Sequence, residues 1–153
     1  MITIHPITTL DELITLMPFF MEGYHAMNRK QKVFDIDKEA FTKVLIGVLN
    51  TVPENGILVA FDGINPVGYG VAYNDTPTYS EEKHLLLYAL YARPEFSRSV
   101  APMIVSAAEV MAKQQGYTKM QAFNSRFSGA SLRLFEKVFG MRRSRIQFTK
   151  EIK

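Results

Sequence analysis

Along most of the chain apolar residues alternate with polar ones or recur at helical spacing, but from Leu85 to Ala92 the polar positions drop out. An eight-residue run without alternation suits a strand buried on both faces. Pro94 ends it, because proline lacks a ladder N–H and biases Arg93 towards an extended conformation. A short polar loop, Ser97-Arg98-Ser99, is expected next. A helix over Val100–Gln115 then follows, with Pro102 tolerated in its first turn and Ile104, Ala107, Ala108 and Met111 on one stripe. Gly116 is its stop. Strand, tight loop and helix N-terminus together make an anion site, since the first amides of a helix have no internal partners.

Upstream, Ile2–Ile7 alternates as a half-buried strand. Thr8 or Thr9 can cap a helix with Asp11 and Glu12 in its first turn and Leu10, Leu13, Ile14 and Met17 as its buried stripe. Pro18 should kink or divide that helix. Gly23–Asp35 reads as a polar connection carrying Tyr24 and His25. A second helix runs from Asp37, its cap, to about Asn50, on the spacing of Phe41, Val44, Leu45, Val48 and Leu49. Pro53 to Gly56 is turn chemistry. Ile57–Phe61 and Val67–Tyr73 are strands joined through Asp62-Gly63. Gly68 and Gly70 imply a bulge or a close backbone approach there. After the central helix come a strand at Tyr117–Phe123, a helix at about Gly129–Val138 stopped by Gly140, and a last strand within Arg145–Ile152.

The predicted order, β-α-α-β-β-β-α-β-α-β, is a mixed α/β (α+β) sheet with one central parallel pair and an early antiparallel meander. No composition shift or repeat divides residues 1–153, which read as one domain. The chain has no cysteine, which removes disulfide and thiolate chemistry. Its start lacks a basic n-region and its apolar runs are short, so neither a signal peptide nor a membrane span is expected. A cytoplasmic location is the compatible reading. Net charge is +3, much of it near the end in Arg142, Arg143, Arg145, Lys150 and Lys153, which suits a solvated strand better than a nucleic-acid surface. His5, His25 and His84 lack metal-ligand spacing, and no nucleophile elbow, Walker loop or dinucleotide fingerprint is present, so no metal is expected.

The element order, together with LYARPEF (Leu90–Phe96) and NSRFSGASLRLFEKVFGM (Asn124–Met141), resembles the GNAT superfamily of acyl-CoA-dependent N-acyltransferases. The first segment is similar to the family's fourth-strand ending, LxVxPEY, and the second to an Asn followed by A-x-x-LYEKLGF. The resemblance implies a GNAT-like fold and transfer of an acetyl or other acyl group from acetyl-CoA or another acyl-CoA, as co-substrate, to a small-molecule or peptide amine. A homodimer stays open as the assembly. Cofactor contacts would come from Leu90, Tyr91 and Ala92 on the strand, from Ser97, Arg98, Ser99, Val100 and Ala101 at the loop and helix start, and from Asn124 and Phe135.

Two departures from the family pattern stand out. The pyrophosphate motif Q/R-x-x-G-x-G/A falls on Ser97, Val100 and Pro102, or, shifted by one, on Arg98, Ala101 and Met103. Neither frame contains a glycine, and a side chain at Val100 would hinder a diphosphate. Ser97, Ser99 and Arg98 offer hydroxyls and a guanidinium in compensation. Phe135 stands where the family often has a Tyr that protonates the departing thiolate, and phenylalanine has no proton to give. Tyr88 and Tyr91 are the substitutes on the strand. Glu81, Glu82 and His84, with His25, are the candidates for taking the amine's proton. The alternative reading is a catalytically silent GNAT-fold binding or structural module.

Overall fold

The computed structural model describes residues 1–30, 37–122, 133–142, 150 and 152. Its elements follow the predicted order: β1 (Ile2–Pro6), α1 (Leu10–Lys30), α2 (Lys38–Leu49), β2 (Gly56–Asp62), β3 (Asn65–Asn74), β4 (His84–Ala92), a 3-10 turn (Pro94–Phe96), α3 (Ser97–Gln114), β5 (Lys119–Ala122) and a π-helical segment (Leu134–Val138). The five strands form one sheet in sequence order. Pairings are antiparallel from β1 to β4, and β4 with β5 is parallel. The expected crossover unit is therefore present, with α3 joining the parallel pair. The expected last strand falls largely outside the described residues, as does the start of the expected helix at Gly129.

Local chemistry explains the helix starts. Thr9 and Glu12 form a capping box: Glu12 N–H donates to Thr9 Oγ1 at 3.2 Å, and Glu12 Oε1 accepts from Thr9 N–H at 3.2 Å. Asp37 caps α2 by accepting from the amides of Glu39 (2.8 Å) and Ala40 (3.4 Å).

Pro18 neither ends nor divides α1, which runs on to Lys30. Burial outweighs the lost hydrogen bond, because Phe19, Phe20 and Tyr24 beyond the proline are all core residues. The buried face is also rotated from the expected stripe: Leu13 is inside, whereas Leu10 and Ile14 are exposed. His25, expected in a loop, is an exposed residue of α1 against the Tyr24 ring.

α1 and α2 cover one face of the sheet and α3 the other. The first face is an aromatic layer: Tyr69 meets Phe19 and Phe20 edge-on at 5.7 and 5.0 Å, and Tyr88 lies 5.6 Å from Tyr73 and 6.5 Å from Phe41. Gly23 makes room for it, since a Cβ there would overlap the Tyr69 hydroxyl, which donates to the Phe20 carbonyl at 3.1 Å.

On the other face the strand glycines do what their alternation implied. A Cβ on Gly68 would stand 2.7 Å from Val100 Cγ1, and one on Gly70 2.6 Å from Ile104 Cγ2, so both let α3 settle onto β3. The register slips beside Gly68, where Val67 is the extra residue of β3. No helix among the described residues is long and apolar enough to cross a membrane.

Candidate active site

β4 is the axis of the site. Its ladder with β5 runs from His84↔Lys119 to Leu87↔Ala122 and goes no further among the described residues. At the same point its pairing with β3 skips Tyr88: Val71 faces Ala89 and the next residue, Ala72, faces Leu87. Tyr88 is thus a bulge, and two successive side chains, Tyr88 and Ala89, turn to the aromatic face. Beyond it, Arg93 N–H donates to Val67 O at 2.9 Å, so the Arg93 amide faces β3. Alternation then turns the Leu90 and Ala92 amides to the opposite edge, where no described residue pairs with them. Among the described residues, a strand edge with outward backbone donors leads from the bulge to the start of α3.

That start differs from the expected loop. Ser97, Arg98 and Ser99 are already helical, behind a 3-10 turn closed by Phe96 N–H to Arg93 O at 2.8 Å. No side chain caps α3. All three residues are exposed, but the Ser97 hydroxyl donates to Pro94 O at 3.1 Å and the Ser99 hydroxyl to Phe96 O at 3.2 Å. Val100 is fully buried and Ala101 nearly so, packed towards the sheet. The Val100 side chain therefore lies in the core, filling the space that Gly68 leaves.

The structure divides the remaining candidates. Tyr91 sits on the aromatic face with its hydroxyl donating to Glu22 Oε2 at 2.8 Å. Arg93 grips the same carboxylate with two prongs, Nε to Oε2 at 2.9 Å and Nη2 to Oε1 at 3.0 Å, and lies 5.2 Å from the Phe19 ring centre. Hydrogen bonds from Arg93, partly opposed by burial, hold the Glu22 carboxyl below its usual range. Burial, then the bond to Glu22, pushes the Tyr91 phenol up to about 12.

The Glu22–Arg93 ion pair beside Tyr91 is the feature of this face that the sequence reading missed. Glu22 lies 71 positions from Arg93, in a segment whose helix was expected to be kinked or divided at Pro18. The apolar residues Phe19, Phe20 and Tyr24 past that proline were the available signal.

Glu81, Glu82 and His84 cluster at the opposite end of β4, about 26 Å from Ala92 at ~3.3 Å per residue. Glu82 pairs with Lys119 at 3.7 Å, and His84 is held between Ser80 (3.2 Å) and Gln121 (3.4 Å). Glu81 is exposed beside them. Phe135 packs edge-on against Phe139 at 5.4 Å, with no proton donor in its ring. Leu90 and Ala92 lie on the α3 face of the strand, near Val100 and Ile104. Asn124 lies outside the described residues.

The fold has many solved counterparts. It superposes on the aminoglycoside N-acetyltransferase AAC(6')-Iy in complex with CoA, with TM-score 0.74 and 14% identity over 99% of this chain and 95% of that one. A probable acetyltransferase matches with TM-score 0.72 and 20% identity over 100% and 98% of the two chains. Glucosamine-6-phosphate N-acetyltransferase from Arabidopsis thaliana does so with TM-score 0.71 and 14% identity over 100% and 99%. At these identities the likeness is one of fold. No curated protein matches the sequence. The sequence model of the acetyltransferase (GNAT) family, however, matches residues 16–141, a span that contains the bulged β4, the 3-10 turn and the whole of α3. The chain belongs to the GNAT acetyltransferase family.

Proposed function

We propose that this protein transfers an acyl group, acetyl first among them, from acyl-CoA to an amine. The observation that carries the reading is the edge of β4 from the Tyr88 bulge to Ala92, left unpaired among the described residues and running into the start of α3, which no described side chain caps. Pantetheine amides can pair with the outward backbone groups of Leu90 and Ala92, as an added strand would. The diphosphate fits the α3 N-terminus, where the helix dipole favours negative charge and Arg98 is exposed. Two of the solved counterparts support an acyl-CoA donor, being complexes with CoA and with a bisubstrate analogue containing it.

The reaction is direct attack. The amine nitrogen bonds to the thioester carbonyl carbon, the C–S bond breaks, the ammonium proton leaves to water, and the thiolate takes up a proton. Fixing the carbonyl against strand amides supplies orientation and charge stabilisation. Tyr91 is occupied, since its hydroxyl donates a hydrogen bond to Glu22. Tyr88 is the candidate donor to the thiolate: it lies at the bulge, and burial raises its pKa so that it is protonated at neutral pH. A second reading, the silent GNAT-fold module, has one observation in its favour, the Phe135 ring packed on Phe139.

A titration with acetyl-CoA and a thiol-release assay over polyamines, aminoglycosides and peptide amines decide between them. Acyl transfer requires saturable binding weakened by Arg98→Ala, and amine-dependent CoA release slowed about 10²-fold or more by Tyr88→Phe. Neither binding nor release in the wild type would end the enzyme reading.

A further inference from the structure

The layer that packs α1 and α2 on the sheet ends in two partly buried tyrosines, Tyr73 on β3 and Tyr88 at the bulge of β4, with ring centres 5.6 Å apart. Phe41 of α2, fully buried, backs the Tyr88 ring at 6.5 Å in a stacked arrangement, and Tyr24 in turn backs Phe41 at 5.7 Å. The Tyr88 ring is thus held in place from behind, and the Tyr73 ring packs against it. Among the described residues neither phenol hydroxyl has a hydrogen-bond partner, whereas the neighbouring Tyr69 and Tyr91 both do.

Charge is sparse here among the described residues. Burial alone raises the Tyr88 phenol, with no charged group contributing, and the carboxylate that acts on Tyr73 is the exposed Asp75. Glu22, the acidic residue of this face nearer α3, is neutralised by Arg93. A polycationic sugar needs several carboxylates around it, which the described residues here do not offer. An amine on a flat apolar body suits them, because aromatic faces attract a single ammonium and cover apolar surface.

Resting on the acyl-transfer reading, we infer that Tyr73 and Tyr88 form the wall of the acceptor site and select a monoamine with an aromatic body. The bulge that turns Tyr88 to this face also marks where the β4–β5 ladder ends among the described residues, so the wall adjoins the position assigned to the thioester. Asp75 is the nearby anion for the ammonium before it is deprotonated.

The test is calorimetry on the full chain with CoA present, using phenethylamine, sisomicin and glucosamine 6-phosphate as probes. Phenethylamine is expected to bind at least about tenfold more tightly than either sugar. Tyr88→Ala should weaken it about tenfold, as should Tyr88→Leu, which keeps apolar bulk and guards against a folding defect. Tyr88→Phe should hold its affinity within about twofold, since the ring is kept. Tighter binding of a sugar, no binding of phenethylamine, or equal binding by wild type and Tyr88→Leu overturns the inference. Sugar-dependent CoA release with no response to phenethylamine sinks the aromatic wall and leaves acyl transfer standing. Tyr88-dependent phenethylamine binding without acyl-CoA binding does the reverse.

Discussion

Gly70→Ala should lift α3 off the sheet, and Ile104→Ala should put it back. The new methyl would lie 2.6 Å from Ile104 Cγ2, whereas its other neighbours, Leu87 Cδ1 and Ala89 O, are at the ordinary spacings of 3.6 and 3.8 Å. Carbon atoms pack at about 3.5–4.0 Å, so the helix has to retreat by about 1 Å. Overpacking of this kind costs about 1–3 kcal/mol. Ile104 is fully buried, and Ile104→Ala alone should cost about 2–5 kcal/mol in lost burial and cavity.

In the Ile104→Ala background the clash is gone and the added methyl refills part of the hole. There Gly70→Ala should be neutral or stabilising by up to about 1 kcal/mol. Urea unfolding of the four proteins should therefore give a favourable coupling of about 2 kcal/mol. Acetyl-CoA affinity should follow the helix, falling in Gly70→Ala and recovering in the double variant, because Ser97 to Ala101 travel with α3. Additivity within about 0.5 kcal/mol would show that Gly70 is not there to seat the helix.

Three other expectations follow from the site. Glu22→Gln should lower stability by about 1 kcal/mol at pH 7, or about 3 °C in Tm, the half-exposed pair being partly screened. Glu22 has its folded pKa lowered, so its contribution is full above the ordinary carboxylate value of 4.5 and is lost as pH falls through the folded value; the gap between the two proteins should narrow in thermal melts as pH falls below 4.5 and close once it is below the folded value. A gap that widens on acidification would contradict the assigned pairing. Val100→Gly, which restores the family's glycine, should not tighten acetyl-CoA and should destabilise by about 3 kcal/mol, since it empties the space over Gly68; tighter binding by calorimetry would refute the inward placement. Phe135→Tyr should raise kcat more than it changes KM in the thiol-release assay if its hydroxyl reaches the thiolate, and an unchanged kcat would leave that proton to Tyr88.

What the sequence disclosed was local or strongly periodic. The apolar run of β4, the Asp37 cap, the stripe of α3 and the glycines of β3 each state their environment in a few residues. Where the reading went astray, distant contacts decide. Pro18 stays inside a helix because three aromatic residues after it are buried by partners far along the chain. Arg93 and Glu22 meet across the α1–β4 packing, which no local spacing encodes. Helix phase at α3 is set by the turn before it: the 3-10 turn starts the helix at Ser97 and rotates Val100 inward, so the family's glycine position became a core position. The distance of His84 from Ala92 was readable, since eight steps along a strand cannot be folded away.

Amide hydrogen exchange with and without acetyl-CoA bears most directly on the acyl-CoA reading. Leu90 and Ala92 lie on the edge that β5 leaves unpaired among the described residues, and the first turn of α3 lies beyond them. Saturating acetyl-CoA should slow exchange at Leu90, Ala92 and the amides from Arg98 to Ala101, and should leave the β5-paired stretch from His84 to Leu87 unchanged. Protection confined to other elements, or none at a concentration where calorimetry shows binding, would contradict the placement of the acyl donor along β4.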